Sequence, residues 1–410
     1  MKVLFVTPYL PSPPRFGGQR RMDGLARGMA EKHEVSLLSL RGGDEQAEAS
    51  LAECKKYCRE VFDYELDVLN PNSRLKRALQ LRSLVSRHTF ETLITLNRDF
   101  QTYFESVIRD GDYDVVQVEF CQMGAYRLPA PAGGRRPRYV LDEHNIEYEI
   151  LKRTAQASES KLRKLYNEVN WRKLRREELD SWRRFDGVAL TSVRDEQILL
   201  EEMRGVRTRV VPNGVDVDGF KPSGIPSKPD EILFFGALSY YPNTDGLNHF
   251  IDETLPRIVA ERPNVRLRII GPGPAASTLA RANAHVEVVG FVDDLRPEIE
   301  RASAVVVPLR IGGGTRLKIV EAMAMARPIV STSLGAEGID VKHEEHLLLA
   351  DTPETFSKEV LRLLDDAALQ ARLGAAARAL AETRYSWRAA VGNLQEFYEE
   401  LGARRSSSAA

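Results

Sequence analysis

One pattern constrains this chain more than any other. Short β-rich apolar runs, each closing in a loop and most followed by a helical pattern, recur from end to end. KVLFVT at 2–7 leads through a Pro/Gly loop at 8–18 into a helical stretch at 19–32 and a second strand, EVSLLSL, at 34–40. YDVVQVEF (113–120), RYVLDEH (138–144), GVALTS (187–192) and TRVVPNG (208–214) continue the series. After a Pro/Gly/Lys-rich connector at 219–231 the cycle restarts with EILFFGAL, VRLRIIGPG, HVEVVGF, SAVVVPL and RPIVSTS. Strands separated by helix-length crossovers pair in parallel and need cover on both faces. The pattern therefore predicts an α/β chain of two doubly wound, Rossmann-like domains. Ligands of such sheets bind beyond the carboxyl ends of the strands, so the loops there are the candidates for chemistry. Residues 146–184, where Lys and Arg interleave with Glu and Asp, read as one long, exposed, salt-bridged helix.

Composition narrows the function classes. At 410 residues and 43% hydrophobic the chain has ample material for large cores. A net charge of −1 argues against a nucleic-acid partner held by bulk attraction. The charge is uneven, however, with +4 over residues 1–212 and −5 over 213–410. NSRLKRALQLRSLVSRHTF at 72–90 holds five Arg or Lys and no acid, with Leu75, Ala78, Leu79 and Val85 at roughly helical spacing. Two readings fit it: a solvated helix with its apolar side in the core, or a basic amphipathic helix resting on anionic lipid. No run approaches the roughly 18 apolar residues of a membrane span, and no secretory signal stands out, so a soluble cytoplasmic protein is expected. Cys54, Cys58 and Cys121 lack zinc spacing and read as reduced thiols. Asp293 and Asp294 sit where acids favour a helix start, so no metal site is expected there.

GGGTRLKIVEAMAMARPIVST, Gly312 to Thr332, carries the chemistry. Gly312, Gly313 and Gly314 let backbone approach a ligand, Thr315 is the expected helix N-cap, and Arg316 and Lys318 add mobile positive charge at a helix start. That combination suits a diphosphate, and the missing GxxxxGK[ST] spacing argues against a Walker loop. Glu321 lies three residues beyond Lys318, about one turn deeper. Its two oxygens can accept from vicinal ribose hydroxyls, and spacing alone equally allows a surface acid paired with Lys318.

The segment from Val288 to Ile339 closely resembles the donor-binding half of the family-four glycosyltransferases, retaining enzymes of the two-domain GT-B fold. VVPNGVDVDGF (210–220), IIGPGP (269–274), FGGQRR (16–21) and YSWRAAVGNLQEFYEEL (385–401) extend the likeness over nearly the whole chain. The resemblance implies an acceptor-binding domain at 1–212, a nucleotide-sugar-binding domain at 213–385 facing it across a cleft, and a helix at 386–410 crossing back. It implies a nucleotide-sugar donor of the UDP or GDP type, a saccharide or lipid-linked acceptor, and no metal or other cofactor. Position by position, it makes Glu321 the ribose-binding carboxylate and Gly312 to Lys318 the diphosphate and sugar contact. Backbone at Phe291 and Val292 would hold the base, Gly17 and Gly18 would lie over the diphosphate, and His144 would touch the donor sugar. Gly236, Asn243 and Gly271, in the loops after the first two strands of the second domain, complete the implied donor site.

Two departures stand out. Gly313 occupies the place of the first of the family's paired glutamates, and FFGALSYYPNTDG puts Ala237 and Pro242 or Asn243 near the usual Arg and Lys. Arg316 and Lys318 are the obvious replacements for that lost charge. A GT-B sugar-nucleotide 2-epimerase and a noncatalytic nucleotide-sugar-binding subunit remain alternatives at this stage.

Overall fold

β1 (Lys2–Thr7) buries every residue after the first, which a strand can do only when both sheet faces are covered. In the computed structural model it is an interior strand of a parallel seven-stranded sheet with β2 (Glu34–Arg41), β3 (Glu60–Glu65), β4 (Val115–Glu119), β5 (Arg138–Glu143), β6 (Gly187–Leu190) and β7 (Thr208–Val210). The strand order is β3-β2-β1-β4-β5-β6-β7, so the winding reverses between β1 and β4, where Val3 pairs with Val115 and Val6 with Val118. A second parallel sheet holds β8 (Lys228–Phe235), β9 (Arg266–Ile270), β10 (Val286–Gly290), β11 (Ala302–Val307), β12 (Ile329–Ser331) and β13 (Leu348–Leu349), in the order β10-β9-β8-β11-β12-β13. Its winding reverses between β8 and β11. At such a reversal adjacent crossovers leave to opposite faces, and their loops part to leave a crevice at the carboxyl edge.

The structure describes all residues except 44–45, 71–72, 131–134, 158–160 and 404–410. The chain divides into two compact units, residues 1–212 with the chain from Ala390 onward, and residues 213–389. The first has a large core on one face of its sheet, reaching from Leu4 to Trp182 and Leu199, and buries Val3, Phe5, Val35 and Leu37 on the other face. The second has two, one against helix Leu317–Ala324 and one around Phe234, Phe250 and Phe356.

Several elements depart from the sequence expectation. β3 was not foreseen: EVFDYE is an edge strand whose acids lie at the rim, and its half-buried alternation is weaker than the apolar runs of the interior strands. β13, two residues long, sits inside the apolar LLLA run. The segment 146–184 is two helices, Glu147–Ala157 and Lys161–Arg184, and the second is not simply exposed, since Leu174, Glu177, Glu178, Ser181 and Trp182 are buried. The serine-rich tail lies outside the described residues.

The basic stretch departs most. Helix Leu75–Val85 buries only Ser83, leaving Leu75, Leu81, Leu84 and Val85 exposed. Its apolar side is therefore not in the core.

Candidate functional site

In the second unit the loops after β8 and β11 meet at the winding reversal. Gly236 ends β8 with φ 140°, a conformation that favours glycine. A side chain there would crowd the Lys318 amine at 3.0 Å and the Asn243 amide at 3.3 Å. Asn243 is buried; its Nδ2 donates to the Ala237 carbonyl (2.8 Å) and its Oδ1 accepts from Lys318 Nζ (2.8 Å). Lys318 also lies 4.1 Å above the ring of Phe234. Burial, and then the neighbouring Arg316 charge, pull this lysine down from its ordinary 10.5 to about 7, with Glu321 opposing. The free site thus holds a lysine poised between amine and ammonium rather than the mobile cation expected from sequence.

Arg316 is also not mobile. Its Nη1 donates to the carbonyls of Gly313 and Gly314, so the guanidinium ties down the glycine loop it follows. Gly312 (φ 129°) and Gly314 (φ 72°) take positive φ, which explains why the turn is written in glycine. Thr315 is not the N-cap. The helix starts at Leu317, one residue later than expected, and its cap is Arg316 in an extended conformation without a side-chain cap bond. Thr315 Oγ1 is instead buried without a hydrogen-bond partner among the described residues. A buried hydroxyl in that state costs about 1–3 kcal/mol, which a phosphate oxygen accepting from it would recover. One turn on, Glu321 is buried at 6% exposure, so it is not a surface acid.

Gly271 is buried beneath this crevice. Its φ is 152°, and a Cβ would overlap the Gly236 carbonyl oxygen, so it lets the ends of β8 and β9 approach each other. Phe291 is 69% exposed just past β10, whereas Val292 packs on the core. Gly236, Asn243, Gly312 to Lys318 and Glu321 come together; Phe291 and Val292 follow the edge strand of the same sheet.

The first unit arranges its groups differently. Gly17 and Gly18 open helix Gly17–Ala30, after an extended Phe16 with no side-chain cap. A Cβ on Gly18 would sit 2.6 Å from the Tyr9 hydroxyl and 2.9 Å from the Phe120 ring. His144 follows β5 and is buried, its Nε2 2.7 Å from Glu119 Oε2 at the end of β4. Phe120, at φ 67°, stacks its ring on the imidazole at 3.6 Å.

Burial dominates the ionisation of this pair, pulling His144 down to about 3 and pushing Glu119 up to about 6. At neutral pH the imidazole is uncharged, donates Nε2–H to the Glu119 carboxylate, and keeps Nδ1 as an acceptor.

Supporting contacts surround the pair. Gln117 Nε2 donates to Glu119 Oε1 (2.7 Å), and Tyr398 from helix Trp387–Ala403 donates to Gln117. Beside them Arg21 grips both oxygens of Asp142 (2.8 and 2.6 Å) and the Val211 carbonyl (2.8 Å). The pairing of Glu119 with His144, and the supporting Arg21, Gln117 and Tyr398, escaped the sequence reading. A polar residue inside an apolar strand, as in VVQVE, was the available signal.

Among the described residues two buried groups have metal-ligating chemistry: Glu119, Asp142 and His144, and Cys121, Glu143 and Glu178. In the first, Asp142 is occupied by Arg21, and Glu119 and His144 bind each other. In the second, Glu178 accepts from the backbone N–H groups of Glu147 and Tyr148, and Glu143 accepts from the Trp182 indole. Both work as hydrogen-bond networks of the protein itself.

Two parallel α/β units, the second carrying a glycine-rich cationic loop at its winding reversal, define a chain of the GT-B class. Family models agree: residues 17–218 match the model "Glycosyltransferase Family 4" and residues 229–366 match "Glycosyl transferases group 1". The chain belongs to the family-four glycosyltransferases.

Among curated relatives, it is 31% identical over 206 residues to the phosphatidyl-myo-inositol mannosyltransferase of Mycobacterium tuberculosis, a match covering 47% of this chain and 53% of that protein. The chain thus spans about half the length of the curated relatives it matches. The sucrose-phosphate synthase of Thermosynechococcus elongatus superposes with a TM-score of 0.69 at 17% identity, over 98% of this chain and all of the other. Anabaena HepE, solved in complex with UDP, gives 0.63 at 17% identity, over 98% and 100%. At these identities the likeness speaks for the fold. No helix among the described residues is long and apolar enough to cross a membrane.

Proposed function

We propose that the chain is a retaining glycosyltransferase that moves a sugar from a nucleoside-diphosphate sugar to a saccharide or lipid-linked acceptor, without a metal ion, at the cytoplasmic face of a membrane. One observation carries the reading. Lys318, Asn243 and Gly236 converge with the Arg316-braced glycine loop where the second sheet reverses its winding. The crevice offers a titratable amine, a guanidinium and an unsatisfied hydroxyl, with an acid one turn away, which is the donor set a diphosphate and its ribose require. The mycobacterial relative's name, a mannosyltransferase acting on a phosphatidylinositol, favours a hexose and a lipid-linked acceptor. HepE, bound to UDP, favours a nucleotide donor.

In this reading Glu321 clasps the ribose, the backbone at Phe291 and Val292 meets the base, and Gly236, Gly271 and Gly312 to Gly314 give the diphosphate close access. As the bond between the anomeric carbon and the diphosphate oxygen breaks, negative charge grows on the diphosphate, and Lys318 and Arg316 stabilise it most at that moment. The acceptor oxygen bonds to the anomeric carbon from the face the diphosphate leaves. Its proton passes to a phosphate oxygen, so no protein nucleophile is needed. His144, neutral and with Nδ1 free to accept, takes a donor-sugar hydroxyl, and the start of helix Gly17–Ala30 offers N–H groups to the donor.

A thermal-shift screen against nucleoside diphosphates and their sugars tests this. A ligand at about a hundred times its Kd adds roughly 2.7 kcal/mol to stability. Stabilisation by one base and its sugar, followed by transfer to an acceptor, is expected. Epimerised nucleotide-sugar released without acceptor would select an epimerase, and binding without turnover on any acceptor would select a noncatalytic subunit.

A further inference from the structure

Helix Leu75–Val85 inverts the usual arrangement of an amphipathic helix on a globular protein, which turns its apolar stripe to the core. Ser83 is its buried residue, and Leu81 and Val85 lie about 160° around the axis from it. Leu81 is 68% exposed, Leu84 53% and Val85 89%, with Ala78 exposed one turn before. These four follow the spacing of a single helical stripe.

The helix is held by its end. Lys173 of helix Lys161–Arg184 donates to the carbonyls of Ser83 (2.7 Å) and Leu84 (3.4 Å), Arg176 donates to that of Arg87, and His88 pairs with Glu177 (2.8 Å). Buried Glu177 also receives the hydroxyls of Thr89 (2.9 Å) and Thr92 (3.0 Å). Val169 and Leu165, one and two turns from Lys173 on the same side of the anchoring helix, are 45% and 64% exposed, so apolar exposure continues beyond the fastening point. Arg74, Arg77, Arg82 and Arg87 are exposed around the stripe, and no acid occurs from 72 to 90.

We propose that this outward stripe, fastened by Lys173, Arg176 and Glu177, is a docking surface for an anionic lipid bilayer. The apolar side chains enter the headgroup boundary while the arginines meet lipid phosphates. Charge complementarity decides the occupant, because an apolar stripe ringed by one sign of charge repels a second copy of itself. The surface is carried by the first unit alone; it deepens the reading of a transferase working at a membrane face, and its test reads vesicle binding independently of sugar transfer.

Co-sedimentation of the full chain with vesicles tests it. Binding to mixed phosphatidylcholine and phosphatidylglycerol vesicles is expected to exceed binding to phosphatidylcholine alone by roughly tenfold or more, and to weaken as salt rises. Arg74→Glu/Arg77→Glu/Arg82→Glu should remove that preference. Leu81→Ser/Leu84→Ser/Val85→Ser should lower binding by roughly tenfold or more, because insertion of these side chains is lost. All six side chains are exposed, so circular dichroism should match the unaltered protein. Equal binding to both vesicle types, or variants that bind like the parent, would overturn the proposal. Breakup by the serine variant of a dimer seen in analytical ultracentrifugation would also overturn it, assigning the stripe to self-association.

Discussion

The crevice of the second unit and the buried network of the first solve opposite electrostatic problems. Around Glu119, Asp142 and His144 each ionisable group meets a protein partner, and Arg21 answers Asp142 with two hydrogen bonds from almost complete burial. Around Lys318 the direct contacts are an amide oxygen and an aromatic face, neither of which neutralises an ammonium, and Glu321 opposes the loss of its proton without outweighing burial and Arg316. A site that neutralises itself holds shape; a site short of negative charge holds an anion. That difference is what the proposed function uses: the first network holds its groups in place, and the second is left to receive ligand charge.

The largest effect should come from breaking the self-neutralised side. Arg21→Met leaves a buried carboxylate unpaired and should cost about 3–5 kcal/mol in denaturant unfolding, far more than any change in the crevice. A loss below about 1 kcal/mol would mean that the Arg21–Asp142 pair does not organise the unit.

Next is the anion-seeking side. Arg316→Ala with Lys318→Ala should lower turnover by roughly a hundred- to a thousandfold, comparable to losing an oxyanion donor, with little change in unfolding free energy. A double variant with the parent's rate would remove both residues from the chemistry.

Glu321→Ala should weaken nucleotide binding by about 1.5–3 kcal/mol, roughly ten- to a hundredfold, through lost charge-assisted hydrogen bonds. Unchanged calorimetric affinity would refute the ribose assignment.

The smallest effect is the most specific to the contrast. Because Lys318 titrates near 7 in the free site, its amine is mostly neutral at pH 8, and a bound diphosphate favours the ammonium. Binding at pH 8 should therefore take up protons, visible in calorimetry as a dependence on buffer ionisation heat, and affinity should fall as pH rises above about 7. Lys318→Met should abolish the uptake. Its persistence in that variant would place the titrating group elsewhere.

Much of the site was legible because its chemistry is local. Gly312 to Lys318 and Glu321 lie within ten residues, and glycines, cations and an acid at helical spacing describe a ligand without a fold. What could not be read was direction. Arg316 turns back on its own loop carbonyls, Lys318 tucks under Asn243 from the helix that follows a different strand, and Thr315 falls short of the helix it was expected to cap. Each outcome depends on which strand ends adjoin, and β8 and β11 are separated by 66 residues between Phe235 and Ala302. Likewise His144 could be singled out from LDEHN, whereas its partner Glu119 lies 25 residues away.

By itself the sequence determined the two parallel α/β units, through apolar runs that only fully covered strands can bury, and singled out Gly312 to Lys318 and Glu321 as the candidate anion cradle, through glycine and charge at helical spacing. The tertiary structure alone decided how charged each group is and which way each stripe faces. Ionisation depends on desolvation and on neighbours brought from distant strands, and the outward turn of helix Leu75–Val85 depends on the helix that fastens its end.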